Sequence, residues 1–141
     1  MKVRKISLSF KGSHVAATAV LFEEEAPRTA AAFWDALPIE HEAMHSSWSG
    51  ECILVIPCGV DATGIKPAEN ETIFVGPGEI ALYTSVQELL IFYGRGQPCW
   101  RNGPAPSTVF ARITQGLKEF ADECKRLQRE GAKVLVIRRM E

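Results

Sequence analysis

Turn residues cut this chain into short apolar runs, and only two segments carry a helical period. That punctuation is what most constrains the fold. Residues Val3–Phe10 alternate, with Arg4, Ile6, Leu8 and Phe10 on one face, which reads as a half-buried strand. Gly12-Ser13 makes a turn and His14–Phe22 reads as the hairpin partner. Further strands are expected at His41–Trp48, Glu51–Ile56, Thr72–Val75, Glu79–Thr84, Leu89–Tyr93, Thr108–Ile113 and Lys133–Ile137. The first helix is expected near residues 27–37, where Ala30, Phe33, Trp34 and Leu37 form one stripe. Pro27 suits its first turn, and Glu23-Glu24-Glu25 would sit at its positive end. The second is expected near residues 115–130, with Leu117, Phe120, Ala121, Cys124 and Leu127 as its apolar face. Thr114 could cap it, and Gly131 could end it. Two irregular stretches, Pro57–Pro67 and Gly94–Ser107, complete the chain. Many short strands with two helices predict a mainly β fold, a closed barrel or sandwich with the helices as end covers.

The 141 residues suit a single domain spanning 1–141. A hydrophobic share of 46% and a charged share of 23% exclude a disordered or collagenous chain. Sixteen basic against seventeen acidic residues leave a net charge of −1, so neither nucleic acid nor an anionic membrane is an expected partner. No stretch approaches the roughly 18 apolar residues of a membrane span. Lys11 and Gly12 interrupt the N-terminal segment Met1–Phe10 before it reaches signal-peptide length, so a cytoplasmic protein is expected. Cys52, Cys58, Cys99 and Cys124 make no Cys-x-x-Cys pair, and Cys52 and Cys124 fall in apolar patterns, so they read as buried thiols. No P-loop, nucleophile elbow or dinucleotide fingerprint is present, and no cofactor is expected.

Three segments resemble cyclophilins, in the same order. Glu24-Glu25-Ala26-Pro27-Arg28-Thr29-Ala30-Ala31-Ala32-Phe33 is similar to the entry into the first cyclophilin helix. Gly76-Pro77-Gly78-Glu79-Ile80-Ala81-Leu82-Tyr83 looks like the Pro-Gly turn before a central strand. Val109-Phe110-Ala111-Arg112-Ile113-Thr114-Gln115-Gly116-Leu117 resembles the run into the second helix, and Trp100-Arg101-Asn102-Gly103 the loop that gives a pocket tryptophan. The resemblance implies a closed eight-stranded cyclophilin-like barrel with two capping helices. It departs where the isomerases carry their catalytic arginine and a Gln-Gly pair. Here that region reads His45-Ser46-Ser47-Trp48-Ser49-Gly50-Glu51-Cys52, and Ser107 stands at the isomerase histidine. With no fixed donor facing the twisting amide, prolyl isomerase activity is not expected. The chain more closely resembles short prokaryotic cyclophilin-like proteins of unknown function, through His45–Glu51, Glu69-Asn70-Glu71-Thr72 and Ile91-Phe92-Tyr93-Gly94.

His41 and His45 are four apart on an expected strand, so their side chains project about 13 Å apart and cannot share one metal. Trp100 lies in a Gly/Pro loop where no period demands an apolar residue, a common place for pocket aromatics. The candidate ligand-binding residues are Trp48, Glu51, Tyr93, Trp100, Phe110, His45, Glu69 and Asn70, with Tyr83 as a further aromatic. Trp48, Glu51, Tyr93, Trp100 and Phe110 are expected to converge on one concave face. A bulge at Gly50 is needed to bring Trp48 and Glu51 to the same side. Aromatic walls with carboxylates suit a small polar or cationic organic ligand or a short peptide. A hydrolase or isomerase using His45 and Glu51 as an acid–base pair is the alternative. A third is a structural subunit of a homo-oligomer, with these aromatics at its interface.

Overall fold

The computed structural model describes residues 3–141; Met1 and Lys2, part of the segment read for targeting, lie outside the described residues. Eight strands close on themselves: β1 (Lys5–Phe10), β2 (Ala17–Leu21), β3 (Ile39–His45), β4 (Gly50–Val55), β6 (Glu79–Tyr83), β7 (Glu88–Gly96), β10 (Ser107–Gln115) and β11 (Lys133–Arg139). Their order is β2-β1-β11-β3-β4-β7-β6-β10, and β10 pairs back onto β2 to complete the ring. Every pairing is antiparallel. The expected barrel is therefore the observed one. The two-residue strand β5 (Glu71–Thr72) pairs with β10 at Ser107 and Thr108, and β8 (Cys99–Trp100) with β9 (Gly103–Pro104) folds the second irregular stretch into a small hairpin.

The helices close opposite ends. Arg4, just before β1, lies over the Trp34 ring of α1 (Pro27–Ala36), whereas Phe10 at the far end of β1 stacks on Phe120 of α2 (Leu117–Glu130). Thr29, Ala30 and Phe33 point inward from α1; Phe120, Cys124 and Leu127 point inward from α2. Inward residues of the strands, including Ile6, Leu8, Ile53, Leu89, Ile91 and Phe110, fill the lumen.

α1 starts at Pro27 as expected, but the carboxylate that its first amides meet is not the expected one, and α2 lacks its expected cap. Glu23 is engaged with Arg4, at 2.8 Å from its Nε. The amides of Arg28 and Thr29 instead donate to the carboxylate of Glu69, forty residues on, at 3.2 and 2.8 Å. A carboxylate there complements the partial positive charge of the helix end. Thr114 caps nothing: its hydroxyl donates to the Thr18 carbonyl, and α2 starts after Gly116, which has a φ of +78°. Gly131 ends α2 as expected, with its amide donating to the Leu127 carbonyl.

Candidate ligand-binding face

A strand shows alternate residues to opposite sides, and β7 sorts the candidates that way. Leu89, Ile91 and Tyr93 point into the barrel, while Leu90 and Phe92 point out and pack with Cys52, Ala81 and Val109. Glu88 has the outward parity and lies opposite Tyr83 of β6. Tyr83, Val75 and Phe22 cover this small outer cluster.

The turn from β3 to β4 brings the tryptophans onto that outer side. The Ser46 hydroxyl accepts from the amides of Trp48 and Ser49, at 3.3 and 2.8 Å, and fixes the turn. The Ser49 hydroxyl donates to the Cys99 carbonyl at 3.1 Å and accepts from the Cys99 amide at 3.0 Å. Ser49 thereby pins the β8–β9 hairpin beside the turn, and Trp100 lies near Trp48 with ring centroids 6.3 Å apart and planes 26° apart. Tyr83 lies 6.2 Å from Trp100. The Trp100 indole N–H donates to Glu88 Oε1 at 3.2 Å. Glu88 is 6% exposed, and burial pushes its carboxyl above the ordinary value despite the Trp100 hydrogen bond. Trp48, by contrast, is 52% exposed. A depression of about 360 Å³ opens beside Tyr83, Val86, Trp100 and Asn102.

His45, Glu51 and Tyr93 form a separate group at the barrel end that α2 covers. They border an open depression of about 460 Å³ with Arg95, Lys125 and Gln128. His45 Nδ1 lies 2.9 Å from the Ser46 carbonyl and Nε2 lies 2.8 Å from the Tyr93 hydroxyl. A carbonyl only accepts, so Nδ1 carries the proton and, in the neutral ring, Nε2 accepts from Tyr93. Glu51 accepts from the Arg95 amide at 2.8 Å. Burial, then the Glu51 charge, pushes the Tyr93 hydroxyl up to about 12.

The expected five-residue face is thus split. The register does shift between Gly50 and Cys52, where Gly50 pairs with Gly96 but Cys52 with Phe92. The extra residues are on β7, so Glu51 faces the barrel end while Trp48 stays with Trp100 outside. Phe110 is 0% exposed and packs on Phe33 at 4.7 Å, so it belongs to the core. Glu69 is used as the α1 cap, its carboxyl held low by the Thr29 and Arg28 amides against the opposing effect of burial. Asn70 ties a loop to β10: its side-chain amide donates to the Val109 carbonyl at 2.8 Å, and its own carbonyl accepts from the Val109 amide at 3.3 Å. Neither lines either depression. His41 is exposed, and among the described residues no group of three His, Cys, Asp or Glu side chains is placed to hold a metal ion.

Sequence reasoning did not single out Glu88 or Ser49. A lone acid heading the apolar run Leu89-Leu90-Ile91-Phe92 was the available signal for Glu88, but its burial depends on Trp100, twelve residues away.

A closed antiparallel barrel with a helix at each end and a filled lumen defines a cyclophilin-like fold. The chain belongs to the family described as "Protein of unknown function (DUF3830)", whose profile matches residues 8–138. No curated protein matches it. It is similar to the solution structure of the hypothetical protein AF2241 from Archaeoglobus fulgidus, at 21% identity and TM-score 0.67, over 98% of this chain and 95% of that one. It is similar to McbB, solved in complex with tryptophan, at 19% identity and TM-score 0.74, over 94% of this chain and 44% of McbB. A cyclophilin-type peptidyl-prolyl cis-trans isomerase of Cryptosporidium parvum matches at 11% identity and TM-score 0.59, over 99% of both chains. These likenesses show the fold.

Proposed function

We propose that this protein binds a small organic molecule on the outer aromatic face formed by Trp48, Trp100 and Tyr83. The observation that carries the reading is Trp48. A large ring held half in water by a hydrogen-bonded turn, beside a second tryptophan and a depression, is the kind of apolar surface that marks a binding site. McbB, 44% of which matches this fold, has been solved in complex with tryptophan, a small aromatic molecule.

Prolyl isomerisation is not part of this proposal. The segment where isomerases place their arginine here forms the Trp48 turn, and it contains no arginine. A short proline peptide should isomerise at its uncatalysed rate in the presence of the protein. A direct His45–Glu51 acid–base pair has little support, because each side chain is bonded elsewhere.

The proposal is tested by NMR with a fragment collection. The chain has three indole N–H signals, and Trp34 under Arg4 and Arg139 serves as an internal control. Hits should move Trp48 and Trp100 together and leave Trp34 in place. Hits confined to the His45 depression would overturn the reading. So would indole shifts that track protein concentration without fragment, which would make this face a contact between copies.

A further inference from the structure

The outer aromatic face has an electrostatic character that goes beyond its shape, and it rests on the binding reading above. Aromatic rings carry negative faces and attract cations within about 6 Å of the ring centre. This fold uses that attraction elsewhere. Arg4 and Arg139 lie over Trp34 at 5.1 and 5.4 Å, and Arg112 lies over Phe22 at 5.5 Å. Trp48, Trp100 and Tyr83 form the largest aromatic group, yet among the described residues no arginine or lysine lies over any of them. Arg101, next to Trp100 in the chain, is exposed and lies over neither ring.

A buried acidic side chain backs this group instead. Glu88 is almost fully buried and accepts the Trp100 indole N–H at 3.2 Å. A carboxylate on that N–H pushes electron density into the indole and strengthens its face as a cation acceptor. The neighbouring depression is walled by Tyr83, Ser85, Val86, Trp100, Asn102 and prolines, with no basic side chain to repel a cation.

We propose that the Trp48–Trp100–Tyr83 face is a site for a small organic cation, a quaternary or protonated amine, which the rings contact directly and which Glu88 attracts through Trp100.

The experiment titrates the full chain with tetramethylammonium chloride and, separately, with its neutral near-isostere tert-butanol, at fixed ionic strength kept with sodium chloride. Indole N–H shifts of Trp48 and Trp100 give the affinities. Tetramethylammonium should bind about tenfold more tightly than tert-butanol, the usual scale of a partly desolvated cation–aromatic contact. Glu88→Gln should remove most of that preference and leave tert-butanol binding unchanged. Equal binding of both probes would overturn the cation assignment and leave an aromatic ligand site standing. No movement of either indole by either probe, with fragments still binding there, would also overturn the cation assignment alone. If fragments fail as well, the binding reading falls with it. Should Glu88→Gln fail to fold, the two-probe comparison on the wild-type chain still decides the matter, and Trp48→Ala should weaken the ammonium without altering the Trp34 signal.

Discussion

Two neighbouring regions share the strands β4 and β7 and have opposite characters. On the outward side, Trp48, Trp100 and Tyr83 lie over a buried carboxylate, and Trp48 is left half in water. On the inward side, at the barrel end, His45 and Tyr93 bond each other while His45 and Glu51 bond the backbone, beside exposed Arg95, Lys125 and Gln128. The outer region leaves apolar surface unburied. At the inner one the His45 ring and the Tyr93 hydroxyl are already hydrogen-bonded. Burying apolar surface is favourable for a ligand at the first, whereas a ligand that addresses the His45 ring or the Tyr93 hydroxyl at the second must displace hydrogen bonds already made. The pleat alone separates them, because adjacent residues such as Phe92 and Tyr93 point to opposite sides.

The largest effect that tests this division is on Phe110, which the structure assigns to neither region. Phe110→Ala should cost about 3–5 kcal/mol, as expected for a fully buried phenylalanine against Phe33. Denaturant unfolding would show it. A cost below about 1 kcal/mol, with weaker ligand binding instead, would return Phe110 to the site. Gly96→Ala comes next. A Cβ there would overlap the Ser49 carbonyl and meet the Phe92 ring at 3.0 Å. Overpacking of this kind costs about 1–3 kcal/mol. Because Ser49 holds both the turn and the β8–β9 hairpin, the indole signals of Trp48 and Trp100 should move while the His45 resonances stay. Unchanged indole signals would break the link between that bulge and the outer face.

The barrel was legible because it rests on local periods. Alternation and turns located the eight barrel strands, and two stripes located the helices to within a few residues, whereas the strand expected at Thr72–Val75 is only the two-residue Glu71–Thr72. The Trp100 loop was legible as a pocket wall from its lack of any period. What did not follow from sequence is which side of the sheet each residue faces after a register shift. Trp48 and Glu51 are three apart, which on an unbulged strand puts them on opposite sides, and the irregularity expected at Gly50 falls as two extra residues on β7, some forty positions later, leaving the parity of β4 unreset. Glu69 as a helix cap and Glu88 under Trp100 were hidden for the same reason. Each is defined by a partner distant along the chain, whereas the nearby Glu23-Glu24-Glu25 run offered a local answer that the fold does not use.

Tyr93→Phe sharpens the inner half of the comparison. It removes the hydroxyl that His45 Nε2 accepts, at a cost of about 1 kcal/mol. Nitrogen NMR on the wild-type chain should find neutral His45 protonated at Nδ1, the less common tautomer, because the Ser46 carbonyl requires a donor there. The variant should keep that tautomer and leave the Trp48 and Trp100 signals unmoved. Protonation at Nε2 in the neutral wild type would contradict the bonding described.

The smallest effect concerns Glu88 and the pH dependence of stability. Burial raises its carboxyl above 4.5 in the folded chain, against the Trp100 hydrogen bond. In the unfolded chain it returns to the ordinary range. Between those two values the folded state holds the proton more tightly, so folding stability from this group is fully present below the unfolded value. It is lost as pH rises through the raised folded value. Glu88→Gln keeps an oxygen to accept the Trp100 N–H and has no proton to lose. The variant should therefore gain on the wild type as pH rises from 4 to 7, by a difference in Tm on the order of 1–3 °C. The Tyr93 hydroxyl stays protonated across this range, so Tyr93→Phe should show no such drift. If the wild-type and Glu88→Gln curves run parallel from pH 4 to 7, the folded Glu88 carboxyl is not raised, and its place beneath Trp100 carries no net penalty on the charge.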